Sequence, residues 1–376
     1  MKVLQKTLLI TAVCCCALTA CKKSTVENST LAKAFAGKFL IGTALNSLQI
    51  FELDTLGVQI ITEQFNAIVP ENCMKSMYLQ PEEGKFFFDE ADEYVAFGEA
   101  NNMWITGHCL VWHSQAPQWF FIDENGNDVS REMLIERMRS HITTVVSRYR
   151  GRIKGWDVVN EAIMDDGSWR QSKFYRIIGE DFIPLAFQFA HEADPEAELY
   201  YNDYSTAIEA KCQGIVGLVK SIQEKGLRID AVGMQGHLNM DSPTVEEFEK
   251  SLLAFSSLGV KVMVTELDLT VLPAFRGFTG ADVSANFDFK AELNPYSDSI
   301  PAEIALQQQN RYIDFFRLFL KHHDKVSRVT LWGVTDKDSW RNDWPVHGRT
   351  DYALLFDREY QPKPVVGELI KLTKQN

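Results

Sequence analysis

Cysteine is scarce where a mature fold would use it. Of the seven cysteines, Cys14, Cys15 and Cys16 fall in an N-terminal apolar segment and Cys21 directly follows it, which leaves Cys73, Cys109 and Cys212. An odd three at these spacings gives no disulfide scaffold and matches no zinc or CxxC pattern. They read as small buried hydrophobes, with a Cys73–Cys109 bridge as the alternative because their strands should be neighbours. Basic stripes are missing too. A formal charge of −13 runs uninterrupted by any Lys/Arg cluster, so nucleic acid is excluded as a partner and a neutral polymer is the easier ligand. Long hydrophobic runs are also absent, because the stretch from Leu8 to Ala17 is too short to span a membrane as a mature helix.

That stretch is a processing signal. Lys2 and Lys6 form its positive start, and Leu18-Thr19-Ala20-Cys21 ends it in a tetrapeptide that resembles a bacterial lipobox. The resemblance implies removal of residues 1–20, acylation of Cys21, and export to the periplasmic face or cell surface on a lipid anchor in a bacterial membrane. Losing Lys2 and Lys6 takes the formal charge from −13 to −15. Residues 21–35 have few large apolar side chains and are expected to be a tether, with one catalytic domain over 36–376.

With 376 residues, 45% of them hydrophobic, the chain can bury a large core. Apolar runs at Phe39 to Thr43, Ala67 to Val69, Trp104 to Cys109, Ile153 to Val159, Leu199 to Asn202, Ala231 to Gln235, Val260 to Thr265 and Val329 to Trp332 read as eight buried strands. Helical patterns separate them. Asp181 to Glu192 places Phe182, Leu185, Ala186 and Phe189 on one face before Asp194-Pro195 stops it, and Ile304 to His323 repeats Leu306, Tyr312, Ile313, Phe316 and Phe319. The alternation predicts an α/β fold, a single (β/α)8 TIM barrel. Leu272 to Pro301 has no sustained period and is expected to be an extended loop after strand seven.

Two of these runs end in a carboxylate: Val158-Val159-Asn160-Glu161 and Val264-Thr265-Glu266-Leu267-Asp268. One strand-end glutamate is ordinarily just solvated. Two at the same rim of a barrel are what retaining glycoside hydrolysis needs, one to protonate the leaving oxygen and one to attack the anomeric carbon. Other polar residues collect at strand ends: Glu71-Asn72 to Lys75 after strand two, His108 to Gln115 along strand three, Asn202-Asp203-Tyr204 after strand five, Gln235-Gly236-His237 after strand six, and Trp332 onward with Trp340 and Trp344 after strand eight. Several of the eight tryptophans thus lie where sugar stacking is useful, whereas Trp104 and Trp156 sit in apolar runs and read as core.

These blocks, in this order from Gly37 to the C-terminus, resemble glycoside hydrolase family ten, the endo-β-1,4-xylanases. The resemblance implies hydrolysis of internal β-1,4 bonds of xylan with retention, acting on xylan and xylo-oligosaccharides, with no cofactor and no metal, as a monomer. Glu161 would be the acid/base and Glu266 the nucleophile. Asn160 would donate to the sugar 2-hydroxyl, and His237, oriented by Asp268, to Glu266. Glu71, Asn72, Lys75, His108, Trp112, Gln115 and Gln235 would hold the glycone sugars, Tyr204 would also bind substrate, Trp332 would lie beneath the reacting residue, and Trp340 would crowd a C6 hydroxymethyl. Glu161 is expected to have a raised pKa, partly from the neighbouring nucleophile.

The sequence departs from the family pattern at Cys73, where Glu is usual, Ser76, where Trp is usual, and Ser205, where Asn is usual. Three other readings stay open. His108, His113 and His237 near strand ends raise a metal-dependent barrel hydrolase, although no H-x-H pair accompanies them. A carbohydrate-binding protein without chemistry and a retaining glycosidase acting on glucan or mannan are the others.

Overall fold

A computed structural model describes residues 29–273 and 287–374. Among these residues the strands are β1 (Leu40–Leu45), β2 (Ala67–Pro70), β3 (Trp104–Trp112), β4 (Gly155–Asn160), β5 (Glu198–Asp203), β6 (Ala231–Met234), β7 (His237–Leu238), β8 (Lys261–Leu269) and β9 (Val326–Leu331). All neighbouring strands pair in parallel. The order is β6-β5-β4-β3-β2-β1-β9-β8, and a β6–β8 pairing closes it into a (β/α)8 barrel. β7 is a two-residue ribbon that pairs with the end of β8, His237 opposite Asp268.

The eight expected strands are all present, and six of them run past their expected C-terminal ends at the rim that carries the site, two of them by three residues or more. β3 continues through Trp112 and β8 through Leu269. Glu266 therefore lies within a strand and not at its end. Between Val264 and Leu267 the register against β9 slips, so Thr265 and Glu266 bulge out of the ladder. Such a bulge re-aims side chains and recurs next to active sites.

Two glycines make room there. Gly236 has φ +81°, and a Cβ on it would meet Val264 Cγ1 at 2.8 Å; it turns the chain between β6 and β7. Gly233 would place a Cβ 2.4 Å from Asn202 Oδ1, so its bare backbone gives the Asn202 amide its place inside the barrel.

The helices bury the faces their sequence patterns mark. Phe182–Ala193 covers Phe182, Ala186 and Phe189, each fully buried aromatic adding on the order of 2 kcal/mol. Helix Ala302–Lys321 buries Tyr312, Phe315, Phe316 and Phe319, but Leu306 is exposed and departs from the expected stripe. Trp156 is fully buried, as its apolar run implies.

The expected tether is too long at its C-terminal end. Thr30 caps a short helix, Leu31–Ala34, and Leu31 and Phe35 are completely buried, Phe35 against Phe39 and Phe316. Two apolar side chains spaced by four suffice to dock one helical turn. Cys21 and the signal segment lie outside the described residues. Cys73, Cys109 and Cys212 are buried free thiols, so no Cys73–Cys109 bridge forms. Of the loop after the seventh barrel strand, 287–301 packs on the loop after β9: Phe287 N donates to Pro345 O (3.0 Å) and Tyr352 Oη to Tyr296 O (2.9 Å).

Candidate active site

A cleft of about 320 Å³ opens at the C-terminal rim of the barrel. Of the residues expected in the site, all line this cleft except Asp268, which is completely buried behind it. The sequence had not singled out Arg341 as a further lining residue. Ser205, one of the departures, faces the cleft, whereas Cys73 and Ser76 are buried.

Glu161 follows β4 with φ +58°, a left-handed conformation costly for a non-glycine residue and characteristic of functional sites. Its carboxylate accepts from Trp112 Nε1 and Gln235 Nε2, both at 2.9 Å, with His113 Nδ1 at 3.9 Å. Burial pushes its pKa up, the Asp203 carboxylate adds to this, and the Gln235 and Trp112 bonds oppose it. Glu266 adds a smaller push. The expected influence of the nucleophile is thus present but secondary to Asp203, whose role the sequence did not reveal.

Glu266 sits in the opposite environment. Burial alone would raise it, but a hydrogen bond from His237, the nearby imidazole charges and the Asn202 amide hold its carboxyl below the usual range. His237 Nε2 lies 3.2 Å from Glu266 Oε2, and His237 Nδ1 lies 3.1 Å from Asp268 Oδ1. Burial pulls the imidazole down, yet Asp268 and Glu266 outweigh it and raise it to about 9. Asp268 also accepts from Trp340 Nε1 (2.8 Å) and Arg341 Nε (2.7 Å), so one buried carboxylate orients the histidine and the expected lid. Trp340 stacks on Trp344 at 4.8 Å between ring centroids.

Asn202 Nδ2 donates to Asn160 Oδ1 (2.9 Å) and Glu266 Oε1 (2.8 Å). Turning the Asn160 amide over would give Trp112 Nε1 an acceptor and bring the Asn160 nitrogen to Asn202 O, both at 3.2 Å, but it would exchange the shorter 2.9 Å bond from Asn202 Nδ2 for a contact between two nitrogens. We therefore assign its oxygen to Asn202, which leaves the Asn160 nitrogen for a substrate hydroxyl. At the part of the cleft expected to hold the glycone, Lys75 Nζ donates to Asn72 Oδ1 (3.0 Å) and Gln115 Oε1 (2.9 Å) and lies over the Trp112 ring. His108 pairs with Asp157 (2.9 Å) and meets Trp332 edge-on, and Trp332 rests on Ala44 and Val69.

The three histidines weighed as metal ligands are thus engaged with different carboxylates: His108 with Asp157, His113 beside Glu161, and His237 between Glu266 and Asp268. Asn202, Asp203 and Arg341 went unassigned because nothing in their local sequence distinguishes a cleft-supporting polar residue from a solvated one. Their position at the ends of β5 and after β9 was the available signal.

Comparison with known proteins agrees with this arrangement. The family model for glycosyl hydrolase family 10 matches residues 30–371. Endo-1,4-beta-xylanase A of Xylanibacter ruminicola is 53% identical over 347 residues, covering 92% of this chain and 94% of that protein. An endo-1,4-beta-xylanase of Geobacillus stearothermophilus is 39% identical, covering 91% and 98%. Among solved structures, a GH10 endoxylanase from a sugarcane soil metagenome superposes with a TM-score of 0.87 at 46% identity, covering 91% of this chain and 99% of that one. With a matched span that begins at the buried Leu31–Ala34 turn and takes in the whole barrel, the chain belongs to glycosyl hydrolase family 10.

Proposed function

We infer that this protein is an endo-1,4-β-xylanase that cleaves internal bonds of xylan with retention, Glu161 serving as acid/base and Glu266 as nucleophile. One observation carries the assignment of roles. Two buried carboxylates share a cleft, and their surroundings push one up and the other down, as a proton donor and an ionised nucleophile at the same pH require. Glu161 protonates the leaving oxygen while Glu266 attacks C1, then takes a proton from water as the glycosyl-enzyme is hydrolysed. Asn160 offers its amide to the 2-hydroxyl. The names of the relatives support xylan as the substrate.

Reducing-sugar release from xylan, β-glucan and mannan tests this reading. Release chiefly from xylan, with the β-anomer appearing first by NMR, is expected. Preference for glucan or mannan would replace the substrate, and no release at all would favour a binding protein. Because the cleft is complete within one chain, the working unit is read as a monomer, which light scattering checks.

The lipobox-like Leu18-Thr19-Ala20-Cys21 supports a lipid-anchored, exported form. The fold suits that arrangement. The chain enters the barrel through the helix Leu31–Ala34 at the start of β1, the end opposite the cleft, so an anchor upstream would leave the rim facing away from the membrane.

A further inference from the structure

Lys211 is a completely buried lysine that the mechanism above does not use. It stands in the first turn of helix Glu209–Glu224, with Nζ 2.9 Å from Asp203 Oδ1, 3.3 Å from Asp165 Oδ1 and over the ring of Tyr204. A buried cation is costly unless paired, and Asp203, also completely buried, is its partner.

Asp203 has a second set of contacts. Its Oδ2 accepts from Tyr201 Oη and from Ile163 N (3.4 Å), and Tyr201 Oη in turn accepts from Ala162 N (3.0 Å). Those two amides follow Glu161 directly. The left-handed turn at Glu161 is therefore pinned on its C-terminal side by Asp203 and Tyr201, while Asn202 O accepts Glu161 N (2.9 Å) and Arg170 Nε donates to Glu161 O (2.7 Å).

We propose that the buried Asp203–Lys211 pair is a positioning device for the acid/base: Lys211 fixes Asp203, and Asp203 fixes the backbone turn that aims the Glu161 carboxyl at the leaving oxygen. Neither residue lines the cleft. The inference rests on Glu161 being the acid/base. Asp203 also adds negative charge beside Glu161, which favours the protonated form needed for the first step. The other groups facing that carboxyl are Glu266 from β8, His113 and Lys75 from the rims of β3 and β2, and Arg170 from the loop after β4.

Asp203→Asn turns an amide nitrogen towards donors whichever way it is placed, since both carboxylate oxygens accept. The double variant Asp203→Asn/Lys211→Met leaves no unpaired buried ion and decides the question if the single variant does not fold. For both, kcat/KM on phenyl xylobioside, whose leaving group needs a proton, should fall about 10–100-fold, within the usual reach of general acid catalysis. Glycosylation by dinitrophenyl xylobioside should stay within about threefold, and the basic limb of the pH profile should move to lower pH. An equal loss on both substrates with an unmoved limb, or no loss on either, would overturn the proposal. Glu161→Ala measured alongside separates the two readings: if that variant itself shows no dependence on leaving group, the acid assignment has failed instead.

Discussion

Asn202 and Gln235 hold the carboxylates of Glu161 and Glu266 crosswise. Asn202 O accepts Glu161 N (2.9 Å) while its side chain donates to Glu266 Oε1 (2.8 Å); Gln235 O accepts Glu266 N (2.7 Å) while its side chain donates to Glu161 Oε1 (2.9 Å). Each residue thus fixes the backbone of one glutamate and the carboxylate of the other. Movement of either strand end would disturb both groups at once, which couples the two carboxylates mechanically as well as electrostatically.

Removing one of these bonds should shift one limb of the pH profile. The Gln235 amide favours the ionised form of Glu161, so Gln235→Leu should raise the Glu161 pKa and carry the basic limb upward. A charge-assisted bond of roughly 1.5–3 kcal/mol corresponds to about one to two pH units. The limbs belong to the coupled pair, so the comparison is between full profiles of the variant and the wild type. A basic limb that stayed in place would show that Gln235 only positions backbone.

The acidic limb should respond to His237. With its imidazole at about 9, His237 is a cation at the pH where Glu266 must be ionised, and its bond holds Glu266 low. His237→Ala should raise the acidic limb. The same raised pKa stabilises the fold: the contribution is complete below the unfolded value near 6.5 and disappears as pH rises through about 9. Wild type should therefore lose up to about 3 kcal/mol more than His237→Ala between those pH values. Denaturant melts of both proteins at pH 6 and pH 10 measure it, and parallel curves would refute it.

Trp340 is expected to exclude a C6 hydroxymethyl group, and its indole is locked by Asp268 Oδ2 and by stacking on Trp344. Trp340→Ala should narrow the preference for aryl xylobioside over aryl cellobioside by about 1–3 kcal/mol. Asp268 keeps Arg341 and His237 as partners, so the nucleophile should remain oriented. An unchanged ratio of kcat/KM would remove the lid assignment.

The barrel was legible because parallel strands buried on both faces write continuous apolar runs, and the pair Glu161 and Glu266 because each carboxylate interrupts such a run. What lay beyond reach was the depth of those interruptions. Glu266 looked like a strand end, but β8 runs on through Leu269 and slips against β9 at the glutamate itself. Asp203 was visible as a polar strand-end residue, but its pairing with Lys211 joins a strand to a following helix and depends on the fold's closure. The Leu31–Ala34 turn was hidden in a polar segment because two apolar residues are too few to show a period.

Anchoring can be separated from catalysis. If Cys21 carries lipid, Cys21→Ser should move the protein from the membrane to the soluble fraction without changing its specific activity on xylan. The helix Leu31–Ala34 leads into the start of β1 and the cleft lies at the opposite rim, so the substitution should leave the site intact. Native protein found wholly in the soluble fraction would end the lipoprotein reading.

The two carboxylates can be told apart by chemistry that no binding role imitates. Glu161→Ala keeps the nucleophile, so a dinitrophenyl glycoside, whose leaving group needs no proton, should still form the glycosyl-enzyme while xylan hydrolysis nearly vanishes. Deglycosylation then lacks its base. Azide needs none, and it should speed turnover and give the β-glycosyl azide, since attack on the α-linked intermediate inverts the anomeric centre a second time. Glu266→Ala has no intermediate to trap. Azide could enter there only by direct displacement from the face the carboxylate has vacated, giving the α-azide after one inversion, with Glu161 still protonating the leaving oxygen. NMR of the isolated azides distinguishes the anomers, and products of the opposite sense would exchange the roles of Glu161 and Glu266.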